Sequence, residues 1–410
     1  MANNRKKTND RYLQKISKAK HRNDFIANLK SFCDKITLQN TAQLIPSNEW
    51  DNIYTLRCHP VKIIDMPGVS SDVLKDFKWI IPQMFKTRFI DFGIGAYDKI
   101  SLYDYFTSAF TLLLYSIRIK DSDYKNAALV RGALSPLAAL ADGEIYNNAW
   151  KQYFEIINSM SFLNSDLSDC VYILKHETKT EINGKMGFWY CIEIHPIKPE
   201  ITKVLIDDGK RPVYRIGIGV SDPTPHLEYI TIQREALGLP MGEPLQVYIQ
   251  SHAINRLNER VSGILNGILQ FNLYHSLKQL KVSKNKKGEY LFEYYIFGKK
   301  VGYLCGVIID DKIIIRTFLF LTNNGTPEGI KLHNNTGLMK EDKMYLSIDK
   351  LSSFINSDIT KNEAVKNVFM QAGCESLFEI DTDIIFSVDA LKEKSNANLI
   401  AEYLQRRTDF

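Results

Sequence analysis

Apolar residues recur every three or four positions through Tyr12–Phe32, Ser101–Ile119, Lys125–Ala141 and Asn148–Phe162, the spacing of helices that bury one face. Ser135-Pro136 and Asp142-Gly143 supply breaks between them. Over residues 170–235 the character changes. Val171-Tyr-Ile-Leu, Phe188-Trp-Tyr-Cys-Ile-Glu-Ile, Val204-Leu-Ile and Val213-Tyr-Arg-Ile-Gly-Ile are rich in β-branched and aromatic residues. Turn residues at Asn183-Gly184 and Asp207-Asp208-Gly209 separate them, which predicts a meander of antiparallel strands.

The glycines and prolines of Leu237–Pro244 mark a boundary. A strand at 245–249 follows, then Ser251 as a helix cap and a helix from His252 to Leu280 with a break near Ser262-Gly263. Three strands come next, at Tyr290–Ile296, Val301–Ile309 and Ile313–Leu321. Their connections, Phe297-Gly298-Lys299-Lys300 and Asp310-Asp311, suit tight hairpins. From about residue 336 the chain is acidic-leaning and helical, ending in Leu391–Arg407.

The pattern predicts an α+β protein in five parts. They are a basic arm (1–24), a mainly helical domain (25–165), an antiparallel β region (166–240), a helix-plus-antiparallel-sheet unit (245–335) and an acidic helical extension (336–410). At 410 residues with 45% apolar content the chain has enough material for more than one core, and wholesale disorder is excluded. The net charge of +5 implies no particular partner. Its distribution says more, because the first twenty-two residues hold eight basic side chains against Asp10 alone.

No apolar stretch of the kind a secretory signal needs follows that basic start, and no run reaches the length of a membrane span. Six cysteines are scattered without a CxxC pair, which fits a reducing compartment, and a cytoplasmic location is expected. Several candidate motifs stop short. Gly93 and Gly95 lack the third glycine of a dinucleotide fingerprint and read as a turn. The loop at 323–329 has no Gly-Lys-Ser/Thr ending. Cys191 and His195 make two ligands where zinc needs more, and no nucleophile frame appears. Neither a metal nor a cofactor is expected.

One constellation remains. His252, Arg256 and Arg260 are four residues apart, so on a helix successive members drift by only about 40° and form one stripe. Imidazole exchanges a proton near neutral pH, and guanidinium groups offer permanent, planar donors to phosphorus oxygens. The same stripe lies away from the apolar positions Ile254, Leu257 and Val261, as any hydrated helix face does. Both readings fit the residues. Between Gln250 and Lys300 nine basic residues stand against three acidic ones. Lys281, Lys284, Lys286 and Lys287 are candidate RNA contacts and Tyr294 a candidate stacking platform, although alternate tyrosines on a strand also suit a half-buried sheet.

The order of strand, His-x-x-x-Arg-x-x-x-Arg helix, basic loop and meander ending Ile315-Arg316-Thr317-Phe318 resembles the RelE-like ribonuclease toxins of the barnase–EndoU–colicin–RelE superfamily, over residues 245–322. The resemblance implies His252 as the proton-transfer residue, Arg256 and Arg260 on phosphate, and Thr317 as a further contact. It also implies metal-independent attack of the ribose 2′-oxygen on the adjacent phosphodiester, and a toxin or defence role. Three expectations follow: an endoribonuclease acting on RNA, a non-catalytic nucleic-acid-binding or regulatory protein, or a protein-interaction protein. A protein partner or antitoxin would use the helical amino-terminal part.

Overall fold

A computed structural model describes residues 2–182, 185–355, 358–380 and 400–403. The protein is mixed α and β, with a helical amino-terminal part and several antiparallel sheets. It divides into two compact units, one of residues up to 160 with 174–195, the other of 161–173 with 196 onward.

The first unit opens with α1 (Ala2–Thr37), so the basic arm of the sequence is the start of a helix. Then come α2 (Ser47–Thr55), β1 (Cys58–Asp65) and α3 (Ser71–Thr87), the last begun by Ser70, whose hydroxyl accepts from the Val73 amide at 3.3 Å. Strands β2 (Phe89–Ile94) and β3 (Tyr97–Ser101) form a hairpin, and Gly93 and Gly95 lie in its turn with positive φ. Helices α4 (Leu102–Asp104), α5 (Phe110–Arg118), α6 (Ala127–Leu134) and α7 (Glu144–Leu163) follow. Strands β4 (Val171–Ile182) and β5 (Lys185–Ile197) complete a sheet of order β1-β5-β4. Its β1–β5 pair is parallel, where the pattern of the segment suggested antiparallel neighbours alone. The core is aromatic. Phe106 meets Tyr105, Trp150, Tyr153 and Tyr190 edge to face, with centroids 4.7–5.3 Å apart.

The second unit is built on an eight-stranded sheet. Strands β6 (Ile201–Ile206) and β7 (Gly209–Arg215) form a hairpin through Asp207-Asp208, both at positive φ. A small pair, β8 (Gly217–Val220) and β9 (His226–Tyr229), and the short β10 (Thr231–Ile232) lead to β11 (Leu245–Gln250). Helices α8 (Ser251–Arg260) and α9 (Asn266–Gln279) come next. The break between them falls where Ser262-Gly263 predicts it. Ser251 is the first residue of α8 but not its side-chain cap, because its hydroxyl is turned to Tyr214 Oη at 3.5 Å. After β12 (Val282–Lys284), the meander is β13 (Tyr290–Ile296), β14 (Lys299–Ile309) and β15 (Lys312–Phe320), joined by two-residue turns at positive φ.

The strands run β12-β13-β14-β15-β11-β7-β6, with β10 on β11. All pairs are antiparallel except β11–β15. Helices α8 and α9 cover one face, where Leu257, Leu269, Phe292, Tyr294 and Ile315 share a core. Midway along β15 the register slips. Cys305 faces Thr317 while Gly306 faces Ile315, leaving Arg316 as the extra residue of a β-bulge. Ile313 and Ile315 before the bulge and Phe318 and Phe320 after it all enter the same core.

Two expected boundaries move. The β segment at 166–240 is shared between the units, since β5 lies between β1 and β4 in one sheet while β7 lies between β11 and β6 in another. Local alternation marks a strand but not its partner, and those pairings are long-range. The stretch beyond 336 is no appendage either. It forms α11 (Lys340–Tyr345), α12 (Ser352–Ile355) and α13 (Glu363–Gln371) after α10 (Pro327–Thr336), and Leu346, Ile348, Phe354 and Phe369 belong to the same core as the sheet. The expected turn at Asn183-Gly184, and the helix at Leu391–Arg407 apart from 400–403, lie outside the described residues.

Candidate nucleic-acid interface

A cleft of about 1090 Å³ opens in the second unit. Its floor is the sheet face opposite α8 and α9. Leu291, Cys305 and Thr317 lie side by side on β13, β14 and β15, and Leu319 stands two residues farther along the last strand. The floor is mostly apolar.

Where β11 passes into α8, Gln250, Ser251 and His252 border the cleft. His252 is exposed, and among the described residues its ring has no hydrogen-bond partner. The β6–β7 turn contributes Asp207 and Arg211, and the β12–β13 loop contributes Lys284, Lys286 and Lys287.

That loop has a fixed shape. Asn285 Oδ1 accepts from the Lys287 amide at 2.9 Å and from the Glu289 amide at 3.0 Å, while Gly288 takes φ +78°. The local Asn–Gly chemistry thus turns the chain back within four residues and leaves Lys286 and Lys287 exposed. Lys284 lies over the Tyr290 ring, 4.7 Å from its centroid.

Both carboxylates of the lining are engaged. Asp207 pairs with the bulged Arg316. Glu289 accepts from Asn285 Nδ2 at 2.7 Å and lies 3.5 Å from Cys305 Sγ. Burial, with Glu289 beside it, pushes the Cys305 thiol up to about 12, so this sulfur stays protonated and is no nucleophile at neutral pH.

A second, smaller pocket of about 190 Å³ holds His252, Arg256 and Arg260 together with Thr317, Lys340 and Asp349. The stripe of the sequence does converge, and His252 and Thr317 border both cavities. The two arginines are already partnered. Arg256 Nη1 bonds Glu259 Oε2 at 2.7 Å. Arg260 forms a buried ion pair with Asp349, and its carbonyl accepts from the Leu351 amide at 2.8 Å. Burial lowers the pKa of the Arg260 guanidinium. Asp349 Oδ1 is buried without a partner among the described residues.

One proposed RNA contact, Tyr294, is corrected by its surroundings. Tyr294 is fully buried, donates to the Leu269 carbonyl at 2.9 Å and packs edge-on to Phe318, so it offers no face for a base. Lys281 is exposed but lies over Tyr295, 5.2 Å from the centroid, away from the cleft lining. Conversely, Arg211, Arg316, Asp207 and Lys340 border the cavities without having been singled out. Arg316 carried a local signal, since it interrupts the apolar run of its strand. Arg211 carried none, because nothing near it announces which sheet the hairpin joins.

Among the described residues no group of three histidine, cysteine or acidic side chains is placed to hold a metal, and no helix is long and apolar enough to cross a membrane. All six cysteines are buried and unbridged. The chain matches no protein-family model, no curated protein and no solved structure.

Proposed function

We propose that the second unit is an endoribonuclease that cleaves RNA by proton transfer at His252, without a metal ion. The observation that carries this reading is the position of His252 and Thr317 between a basic cleft with an apolar floor and a pocket lined by Arg256, Arg260 and Lys340. A strand crossing the cleft would bring one phosphodiester to that junction. His252 accepts the proton of the ribose 2′-hydroxyl, O2′ bonds to phosphorus, and the bond from phosphorus to O5′ breaks. The leaving oxygen takes a proton from water, giving a 2′,3′-cyclic phosphate and a 5′-hydroxyl. Arg256 and Lys340 stand where negative charge grows on the phosphoryl oxygens. The succession of β11, two helices and a three-stranded meander supports the RelE-like resemblance on which this mechanism rests. A cytoplasmic location belongs to the same reading and fits the unbridged thiols.

A second reading is a nucleic-acid-binding module without catalysis, favoured by the pairing of Arg256 and Arg260 with carboxylates. The deciding experiment incubates the full chain and a His252→Ala variant with mixed-sequence RNA in EDTA. The ribonuclease reading expects cyclic-phosphate ends from the parent only, with the variant still folded by circular dichroism. Binding without cleavage by either protein would favour the second reading.

A further inference from the structure

The β6–β7 hairpin lies outside residues 245–322, yet it forms one end of the cleft. We propose that it is a second phosphate-binding wall, in which Arg211 takes a backbone phosphate of the same RNA strand that Lys286 and Lys287 hold at the other end. This deepens the ribonuclease reading and rests on it for the identity of the strand.

Sheet order supplies the geometry. β7 and β12 are separated by five strand-to-strand steps, which is about 24 Å at roughly 4.8 Å per step. Arg211 on β7 and Lys284 on β12 nevertheless border one cavity. Its 1090 Å³ lies above the range of roughly 300–1,000 Å³ that suits one drug-sized ligand, so an elongated occupant fits better than a single nucleotide.

Charge supplies the chemistry. Of the two acids in the lining, Asp207 is paired with Arg316, and Glu289, bonded to the neutral Asn285 and so still charged, is outnumbered by Lys284, Lys286 and Lys287. Arg211, Lys286 and Lys287 are exposed, and among the described residues their charged groups have no hydrogen-bond partner. The net field toward an occupant is therefore positive at both ends, with Leu291 and Leu319 between. Cations at two separated places around an apolar floor match a chain that alternates phosphates with flat, largely apolar bases. An acidic peptide would satisfy the cations but leave the floor without a partner.

The β6–β7 turn also fixes Arg211. Asp207 and Asp208 both have positive φ, which closes a tight two-residue hairpin, and Arg211 pairs in register with Val204. Below it, Val204, Ile206 and Val213 pack against Tyr248 and Ile314. The guanidinium thus projects from a rigid base, which limits the entropy lost when it grips a phosphate.

The test measures binding of a short, labelled single-stranded RNA to the full chain carrying His252→Ala, over a range of salt concentrations. Adding Arg211→Ala is expected to weaken binding about tenfold at low salt. It should also flatten the slope of log K against log salt by about 0.7, the release of one single-strand phosphate contact. Arg211→Lys should restore the slope, and Lys286→Ala should flatten it further in combination with Arg211→Ala. An unchanged slope in Arg211→Ala overturns the proposal, as does polyglutamate binding as tightly as RNA. Cleavage by the parent with an unchanged Arg211→Ala slope sinks this inference alone. A flattened slope with no cleavage by the parent sinks the catalytic reading and leaves the second wall standing.

Discussion

The two cavities that meet at His252 use the same kinds of side chain in opposite ways. In the large cleft, Arg211, Lys286 and Lys287 face water without ionic partners among the described residues, and the ion pair Asp207–Arg316 is only partly buried. In the small pocket, Arg260 is closed off by Asp349 with both side chains about nine-tenths buried, and Arg256 is tied to Glu259 on its own helix. A charge without a partner is available to a ligand. A buried, paired one is spent on holding the fold. Of the stripe His252, Arg256 and Arg260, Arg260 is therefore committed to the fold, while His252 is exposed and has no partner among the described residues.

The comparison breaks most visibly at Asp349. Replacing it with alanine leaves Arg260 buried and uncompensated, and the expected cost is about 3–5 kcal/mol in chemical denaturation. If Asp349→Ala kept its stability, Arg260 would have to count among the free cations.

Next in size is a pH effect beside the cleft. Lys343 is fully buried, and burial lowers its pKa to about 8. Its ammonium donates to the carbonyls of Thr322 and Gly329 at 2.8 and 3.1 Å, and to Asn324 on the cleft rim. The unfolded chain holds that proton up to about pH 10.4, so between about 8 and 10.4 the folded state binds fewer protons and stability from this group rises with pH. Parent and Lys343→Met should therefore diverge in the parent's favour by about 1.4 kcal/mol per pH unit across that window. Parallel pH profiles for the two would show that the buried amine stays charged.

Tyr294 offers a smaller test. Tyr294→Phe removes one of the hydrogen bonds to the Leu269 carbonyl and should cost about 1 kcal/mol while leaving RNA affinity unchanged. Loss of RNA binding in this variant would reopen the stacking role.

The smallest effect is the sharpest contrast. Asp207→Asn keeps a residue that tolerates positive φ and removes only an exposed ion pair, so stability should move by less than about 1 kcal/mol. RNA affinity should rise, because Arg316 is released. Weaker binding would mean that Asp207 positions Arg316 for the ligand instead of competing with it.

Much of the second unit was legible because its signals are local. The meander strands, their two-residue turns and the interruption between α8 and α9 follow from alternation, glycine and spacing within a few residues. Thr317 beside His252 was suggested only by the family resemblance, and no local signal brought the 284–287 lysines to the same cleft. Partners far along the chain were not legible. Arg260 reads as a free cation until Asp349, on a segment beyond the sheet, is folded against it. Tyr294 reads as one of several aromatics until α9 supplies the carbonyl its hydroxyl needs. The β6–β7 strands advertise themselves but not their neighbour β11, so Arg211 could not be placed. Gly329 belongs with these, since a methyl group there would collide with the Asn323 carbonyl and no nearby sequence feature says so.

The bulge at Arg316 gives β15 a change of phase. Before it, odd-numbered residues such as Ile313 and Ile315 point into the core; after it, Phe318 and Phe320 do. Pairing this stretch without the bulge, at unchanged length, would send both phenylalanines to the cleft floor, whereas deleting Arg316 would restore an unbroken two-residue rhythm and keep them in the core. This strand should therefore tolerate the loss of Arg316, yet not the loss of a residue elsewhere along its core-facing run. A deletion scan would find its most permissive position there, at a place where a scan of side chains alone would pass over little more than one half-buried arginine.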